Sequence, residues 1–292
     1  MGKLTERLMR AGRWLLTPLH LGGCLVALAL AAFLLLHSPN SLHRAEGAPH
    51  DQKHERVSHD ANAPGHPPGG APRDPGEQFV ASVLADTEDV WGRKIAELGG
   101  RYPSPKRLIF TDEVTAACGL TSAASGAFYC PSEQRVYIDL SFLKELEEQS
   151  GAPSEFARAY VVAHEVGHHM QLLLGATEAV QDVRRRSTAA VATRALLAME
   201  LQADCYAGVW AREANALHRA KGQPSYIESG DIAAALTAAS AVGDRTLRRR
   251  AKQRIIPEAF THGTPKQRVD WFQRGFDSGK IERCDAFNSP GL

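Results

Sequence analysis

The sequence lacks a strong charge of either sign and is poor in cysteine. Its 292 residues carry 34 Lys and Arg against 33 Asp and Glu, a formal net charge of +1. Domains that bind nucleic acid usually carry a basic patch or stripe, so this balance argues against a nucleic-acid partner. The 5 cysteines never occur with CxxC spacing, which excludes the usual cysteine-based metal motifs. The 43% of hydrophobic residues is enough to build one sizeable core in a single domain.

The chain has one long apolar run, at residues 14–37. No residue from Leu21 to Leu36 is charged or strongly polar, and with the residues before it the run approaches the roughly 20 residues that span a bilayer. Residues 1–13 carry four basic side chains against one acidic side chain, which favours an N-terminus inside the cell. We therefore predict a cytoplasmic segment 1–13 and a transmembrane signal anchor 14–37 in the inner membrane. Everything after the anchor then lies on the periplasmic side.

Two alternatives to the anchor are weaker. A cleaved signal peptide would need a small-x-small site after the apolar run, where the sequence instead has His37-Ser38-Pro39-Asn40. A lipoprotein processing site at Cys24 is disfavoured because most of the apolar run follows that cysteine. Residues 38–76 are rich in Pro, Gly and His without apolar periodicity, so we predict a disordered linker. The folded domain is predicted at 77–292.

Within this domain the apolar periodicity predicts mostly helices. A short strand is expected at 108–110 and a hairpin between 128–131 and 135–139. Helices are predicted at 79–98, 140–148, 154–174 and 229–250, and after Thr264-Pro265. A long helical region is predicted at 178–219. The predicted fold class is therefore α+β, mainly α-helical, with a small sheet.

The predicted helix 154–174 contains the pattern HExxH at 164–168. Residues four apart lie on the same face of a helix, so His164 and His168 can bind one metal ion. Zinc suits two neutral imidazoles with a carboxylate and keeps a position open for water in catalytic sites. Glu165 would lie beside the ion as a base. The residues before the motif, Tyr160 to Ala163, are apolar, which indicates a buried helix and not a surface helix with two solvated histidines.

A third ligand is available on the next predicted helix. Glu200 and Asp204 are one turn apart on a segment that is apolar on most sides. Two buried acids need a compensating charge, which a zinc ion would supply. We predict Glu200 as the third ligand and Asp204 as the carboxylate that orients a ligating imidazole. The alternative is that both are acids on a helix surface.

Four cysteines follow the apolar run, an even number that fits an oxidising compartment and two disulfides. Three pairings are possible for four cysteines. We favour Cys118 with Cys130, which closes a short loop. The second bridge would then join Cys205 to Cys284 and tie the tail to the helix of the third ligand.

Several separated motifs resemble one family, the neutral zinc metallopeptidases of bacteria, which are single-span or exported proteins with a zincin-like domain. The motifs are His164-Glu165-Val166-Gly167-His168-His169, Glu200 to Gly208, Phe128 to Pro131 with Val136 to Ser141, and Phe260-Thr261-His262-Gly263-Thr264. The resemblance covers residues 77–287 and leaves the anchor and linker outside. It implies zinc at His164 and His168, Glu165 as base and Glu200 as third ligand.

We therefore expect a membrane-anchored zinc endopeptidase acting on a peptide or protein. Glu165 would move the proton, and His262 is the first candidate for the group that stabilises the oxyanion, ahead of Tyr137 and Tyr160. The hairpin could offer its edge to an extended substrate, and the alternative is an ordinary buried hairpin. Two rival interpretations are a zinc-stabilised binding protein without turnover and a zinc hydrolase of a cell-wall amide. His169 faces another side of its helix and is expected either to support a ligand from behind or to pack.

Overall fold

The computed structural model describes residues 74–111, 114–118, 126–150, 154–225, 227, 232–233, 235–237 and 262–289. The predicted cytoplasmic segment, anchor and almost all of the linker lie outside these ranges. In the part of the chain that is described, no helix has the length and hydropathy needed to span a membrane. The helices and strands are α1 Pro75–Glu97, β1 Lys106–Phe110, β2 Ala127–Cys130, β3 Arg135–Asp139, α2 Leu140–Ser150, α3 Ser154–Leu173, α4 Ala176–Arg186, α5 Ala189–Ala220, α6 Pro265–Ser278 and a 3-10 turn Ile281–Cys284.

The first helix begins slightly before the predicted domain boundary at residue 77. Asp74 is its N-cap, because its carboxylate accepts hydrogen bonds from the backbone N–H groups of Gly76 at 2.7 Å and Glu77 at 3.4 Å. Pro75 occupies the first turn, where no N–H donor is needed. These two residues therefore define the start of α1.

The three strands form one small mixed sheet in the order β1-β3-β2. The predicted hairpin is confirmed, since β2 pairs with β3 in antiparallel register, with Tyr129 opposite Val136. The parallel pairing of β1 with β3 was not predicted. The sheet separates two apolar clusters. One face carries Tyr129, Val136 and Ile138 into the main helical core, and the other face holds a small cluster around Phe128 and Tyr137.

Helix α3 lies at the centre of the helical layer and contacts α1, α2, α4, α5 and β2. Helix α5 packs against α3 and, most extensively, against α6. The α5–α6 crossing depends on two glycines. A Cβ added to Gly208 would lie 2.0 Å from the carbonyl oxygen of Phe272, and one added to Gly275 would lie 1.9 Å from that of Cys205. No side chain fits at either position, so the backbones of α5 and α6 are in direct contact there.

The helical region predicted at 178–219 consists of two helices, α4 and α5. Helix α4 ends at Arg186, Ser187 is extended, and Thr188 caps α5 by accepting from the backbone N–H of Val191. A Thr that satisfies a free N–H is a helix start, which the periodicity alone did not separate from the surrounding sequence. The helix predicted at 229–250 falls mostly outside the described residues.

Both predicted disulfides are confirmed. Cys118 bonds to Cys130 with Sγ atoms 2.00 Å apart, and Cys205 bonds to Cys284 with Sγ atoms 2.03 Å apart. The second bridge joins the buried middle of α5 to the 3-10 turn that follows α6. It therefore holds the C-terminal segment against the helix that carries Glu200.

Candidate metal centre

Two helices bring three ligand-type side chains to one point. His164 and His168 project from the same face of α3, with ring centroids 4.9 Å apart. From α5, Glu200 places Oε2 at 3.3 Å from His164 Nε2 and Oε1 at 3.7 Å from His168 Nε2. One ligand atom from each residue lies within 4.8 Å of the other two. The predicted set of His164, His168 and Glu200 therefore converges in space.

The other nitrogen of each imidazole is already in use. His164 Nδ1 lies 2.8 Å from Asp204 Oδ1, and His168 Nδ1 lies 2.8 Å from Gln171 Oε1. Both partner oxygens accept hydrogen bonds, so each Nδ1 donates. Each Nε2 is left facing Glu200, which is the arrangement that ligating histidines adopt when a neighbour fixes their tautomer.

Asp204 occupies the place predicted for it, behind His164, and it is completely buried. Its carboxylate also accepts a fork of hydrogen bonds from Arg268, Nε to Oδ2 at 3.0 Å and Nη2 to Oδ1 at 3.1 Å. The hydroxyl of Tyr160 donates to the same Oδ1. Burial would raise the pKa of Asp204, but Arg268 and then His164 lower it below its usual value. The group is therefore held as a carboxylate.

The charges of the site call for a cation between the ligand atoms. Although burial would raise the pKa of Glu200, the neighbouring His262, His168 and His164 lower it, so this acid stays ionised. Burial would lower the pKa of His164, but Asp204 and Glu200 outweigh it and raise that pKa to about 10. In the absence of a metal the proton on His164 thus supplies the positive charge that these two carboxylates attract.

Glu165, the predicted base, is buried beside these ligands, with 8% of its surface exposed. Burial raises its pKa, and the neighbouring imidazoles of His164 and His168 oppose the rise. A carboxylate with a raised pKa is a better proton acceptor than an ordinary surface glutamate. Its position between the two histidines in sequence keeps it on the same stretch of α3 as the ligand atoms.

The three remaining candidates are in different places. His262 lies at the site, with Nε2 3.6 Å from Glu200 Oε2 and with 44% of its side chain exposed. Tyr160 is buried under the site and supports Asp204. Tyr137 belongs to the small cluster on the far face of the sheet, where its hydroxyl donates to Glu133. Its candidacy as a donor to the oxyanion is therefore wrong, because that hydroxyl is engaged elsewhere.

His169 packs, as expected from its different helix face. Its Nε2 donates to the carbonyl of Pro103 at 2.7 Å, which leaves Nδ1 as the acceptor for the Tyr129 hydroxyl at 2.8 Å. Burial lowers the pKa of His169, so it stays neutral near pH 7. It links α3 to β2 and to the segment before β1.

Sequence reasoning missed the side chains that support the ligands, namely Gln171, Gln202 and Arg268. Gln171 carried a signal, because it follows His168 by three residues and so lies on the same helix face. Arg268 carried none, because nothing in a helix far along the chain indicates that it packs behind Asp204. Its guanidinium is buried there, and Asp204 is the charged partner that a buried arginine needs.

The donor set fits zinc. Two imidazole nitrogens whose Nδ1 atoms are hydrogen-bonded, together with one carboxylate, form the three-ligand set of catalytic zinc sites that leave a position for water. The alternative of a calcium or magnesium site is disfavoured, because these ions prefer oxygen ligands. His164, His168 and Glu200 would hold the ion.

The chain is similar to two bacterial proteins over about two thirds or more of its length. The chain is 42% identical over 214 residues to the "Uncharacterized protein YpfJ" of Escherichia coli K12, which covers 73% of this chain and 72% of the relative. It is 40% identical over 196 residues to the "Uncharacterized protein Rv2575" of Mycobacterium tuberculosis, which covers 65% of each. No solved structure matches the chain significantly.

A family model covers most of the chain. It matches residues 12–287, so the expectation that the family resemblance begins only at residue 77 was wrong at its N-terminal end. The segments predicted as anchor and linker fall inside the matched range. With its paired histidines, buried glutamate and third acid in place, the chain belongs to the family described as "Putative neutral zinc metallopeptidase".

Proposed function

We propose that the protein is a zinc-dependent endopeptidase. The observation that carries the proposal is the convergence of His164 Nε2, His168 Nε2 and the Glu200 carboxylate within 4.8 Å, from two different helices. The buried Glu165 on the same stretch of α3 completes the set of groups that peptide hydrolysis needs. Membership of the zinc metallopeptidase family supports this assignment.

In this mechanism His164, His168 and Glu200 would hold the zinc ion. A zinc ion bound there would polarise the scissile carbonyl and acidify the attacking water. Glu165 accepts a proton from that water and returns it to the leaving amine. Asp204 keeps His164 oriented through the Nδ1 hydrogen bond at 2.8 Å. Tyr160 and Arg268 keep Asp204 itself in place.

His262 is our proposed donor to the oxyanion. Its side chain is 44% exposed and reaches to 3.6 Å from Glu200, so it faces both the ligands and the space where a substrate would lie. A hydrogen-bond donor aimed at developing negative charge lowers the barrier of acyl transfer. His262→Ala is expected to lower kcat about 100- to 1,000-fold while zinc content stays unchanged. Loss of the metal in this variant would instead make His262 a ligand.

We propose that an extended peptide binds along β2. In the described part of the chain β2 pairs only with β3, and it is the strand that packs most closely against α3. Tyr129 on β2 reaches His169 on the metal helix, so the strand and the ligands are held at a fixed distance. Addition of a strand to such an edge provides backbone hydrogen bonds without requiring one particular sequence.

We further propose that residues 14–37 anchor the protein in the inner membrane with the catalytic domain in the periplasm. The apolar length and the basic residues before it support this topology, and the two disulfides fit an oxidising compartment. Protease added to intact spheroplasts should degrade a C-terminal tag. A tag that is protected until the cells are lysed would contradict the topology.

The central experiment combines metal analysis with peptide cleavage in the full-length protein. Glu165→Gln should retain one zinc per chain and lose cleavage of a peptide library. His164→Ala and Glu200→Ala should lose the metal as well. The matched control is Glu155→Gln, an exposed glutamate on the same helix, which should change neither. A protein that binds zinc yet cleaves no peptide would contradict the endopeptidase proposal, and cleavage of cell-wall fragments instead would identify an amide hydrolase.

A further inference from the structure

Two buried glutamines form a chain of hydrogen bonds that ends on a proposed zinc ligand. Gln171 on α3 and Gln202 on α5 are both buried, with 0% and 7% of their surfaces exposed. Gln202 Nε2 donates to the backbone carbonyl of Cys284 at 2.9 Å, and Gln171 Nε2 donates to Gln202 Oε1 at 3.2 Å. Gln171 Oε1 then faces His168 Nδ1 at 2.8 Å. We call this chain the amide relay.

Backbone carbonyls fix the direction of the relay. A carbonyl oxygen only accepts hydrogen bonds, so the atom of Gln202 that faces Cys284 must be its NH₂ group. The same holds for Gln171, whose Nε2 lies 2.7 Å from the carbonyl of Met199. Each amide oxygen is then turned to the opposite side. This orientation follows from the backbone and does not depend on any assumption about His168.

The orientation of Gln171 determines the tautomer of His168. Because Gln171 presents an oxygen, Nδ1 of His168 must carry a proton to make a hydrogen bond. A neutral imidazole with its proton on Nδ1 has its lone pair on Nε2, and Nε2 is the atom that lies 3.7 Å from Glu200. With the opposite tautomer the lone pair would face Gln171 Oε1, leaving an acceptor opposed to an acceptor inside the core.

We propose that Gln171 and Gln202 are positioning residues, whose amide relay holds His168 in the tautomer with the Nε2 lone pair directed at the metal. The proposal rests on the proposed function, since it assigns a role toward a zinc ligand. It gives His168 a counterpart to the carboxylate of Asp204 behind His164. The relay is anchored on Cys284, whose bridge to Cys205 holds its carbonyl beside α5.

The test reads the tautomer of His168 in the metal-free, full-length protein. Histidine is labelled with ¹⁵N, long-range ¹H–¹⁵N spectra are recorded, and His168→Gln assigns the signal. The wild type should show a protonated Nδ1 and an unprotonated Nε2. Gln171→Met should shift the population toward protonated Nε2, and Gln202→Met should do so to a smaller extent. Gln273→Met, at a partly exposed glutamine on α6 whose Nε2 donates to Asp277, is the matched control and should change nothing.

Zinc affinity, measured by competition with a chelator, provides the second readout. Gln171→Met should weaken it about 10- to 100-fold, as for other groups that orient a ligating histidine. Circular dichroism and unchanged His164 signals establish that each variant is folded. If Gln171→Met does not fold, Gln202→Met provides the test of the relay. An unprotonated Nδ1 of His168 in the wild type, or an unchanged His168 tautomer in both variants, overturns the relay. A wild type with the expected tautomer that binds no zinc instead overturns the proposed function.

Discussion

The buried pair of Arg268 and Asp204 yields a prediction that does not depend on the enzymatic activity. The two side chains make hydrogen bonds of 3.0 and 3.1 Å, and Asp204 also accepts from His164 and Tyr160. Asp204→Asn leaves a buried guanidinium without its carboxylate, and Arg268→Met leaves a buried carboxylate without its guanidinium. Removing one partner of a buried ion pair costs about 3–5 kcal/mol. Each single variant should lose that much free energy of unfolding.

The double variant distinguishes the pair from its separate members. Asp204→Asn with Arg268→Met leaves no unpaired charge, so its loss should be smaller than the sum of the two single losses by about 2 kcal/mol or more. Urea unfolding of the metal-free protein, followed by circular dichroism, measures all three. Asp204→Asn should also weaken zinc binding about 10- to 100-fold, because His164 loses its oriented acceptor.

Helix α6 supplies the control. Lys266 and Asp270 form an ion pair with N–O distance 2.6 Å, but their side chains are 83% and 57% exposed. Lys266→Met, Asp270→Asn and the double variant should each change the stability by less than about 0.5 kcal/mol. Single losses below about 1 kcal/mol at Arg268 and Asp204, or losses that simply add, would refute the argument that desolvation makes this pair interdependent.

Three other predictions follow from the packing, the bridges and the site charge. Gly275→Ala places a Cβ 1.9 Å from the Cys205 carbonyl oxygen and should lower the free energy of unfolding in urea by about 3 kcal/mol. The control Gly92→Ala, with nothing within 4 Å of the added Cβ, should stabilise α1 by about 0.5–1 kcal/mol. Equal effects of the two variants would contradict the close contact. Replacing both cysteines of the Cys205–Cys284 bridge by Ser should cost about 4.5 kcal/mol, since the bridged residues are 79 apart, and a loss under about 1 kcal/mol would contradict it. Zinc must displace the proton of His164, whose pKa is raised to about 10, so affinity in chelator competition should rise about tenfold per pH unit from pH 6 to 8; an affinity independent of pH would show that His164 is already neutral.

The ligand residues could be predicted from the sequence because local helix geometry determines how they are placed. His164 and His168 are one turn apart, as are Glu200 and Asp204, so each pair shares a helix face whatever the rest of the chain does. The apolar neighbours of each pair placed it inside the protein. Two such faces with complementary ligands gave the candidate set, and in the structure they converge.

The supporting groups could not be found in this way, because they come from distant parts of the chain. Arg268 reaches Asp204 only because two glycines let α6 approach α5 at backbone contact. Gln202 is oriented by a carbonyl at Cys284, which neither its own helix nor its periodicity indicates. The parallel pairing of β1 with β3 is of the same kind. A short apolar strand does not encode which neighbour it will join.

The break between α4 and α5 was missed for a different reason. The sequence around Ser187 and Thr188 contains neither Gly nor Pro, which are the usual signals of a helix end. A threonine can be an N-cap wherever it occurs in a sequence. Only the hydrogen bond that Thr188 accepts from the backbone N–H of Val191 shows that it acts as one here. Periodicity predicts that a segment is helical more reliably than it predicts where the helix is divided.

Glu200 and Asp204 differ in role although they lie one turn apart on the same helix. Asp204 meets Arg268, whose fork uses both carboxylate oxygens and holds the group behind His164. That pairing fixes the orientation of the Asp204 carboxylate and leaves it unable to turn toward the ligands. Among the described residues, the ion-pair partners of Glu200 are imidazoles, so its carboxylate can bind a cation. Arg268 therefore separates the two acids into a support and a ligand, and it does so without lying next to either in sequence.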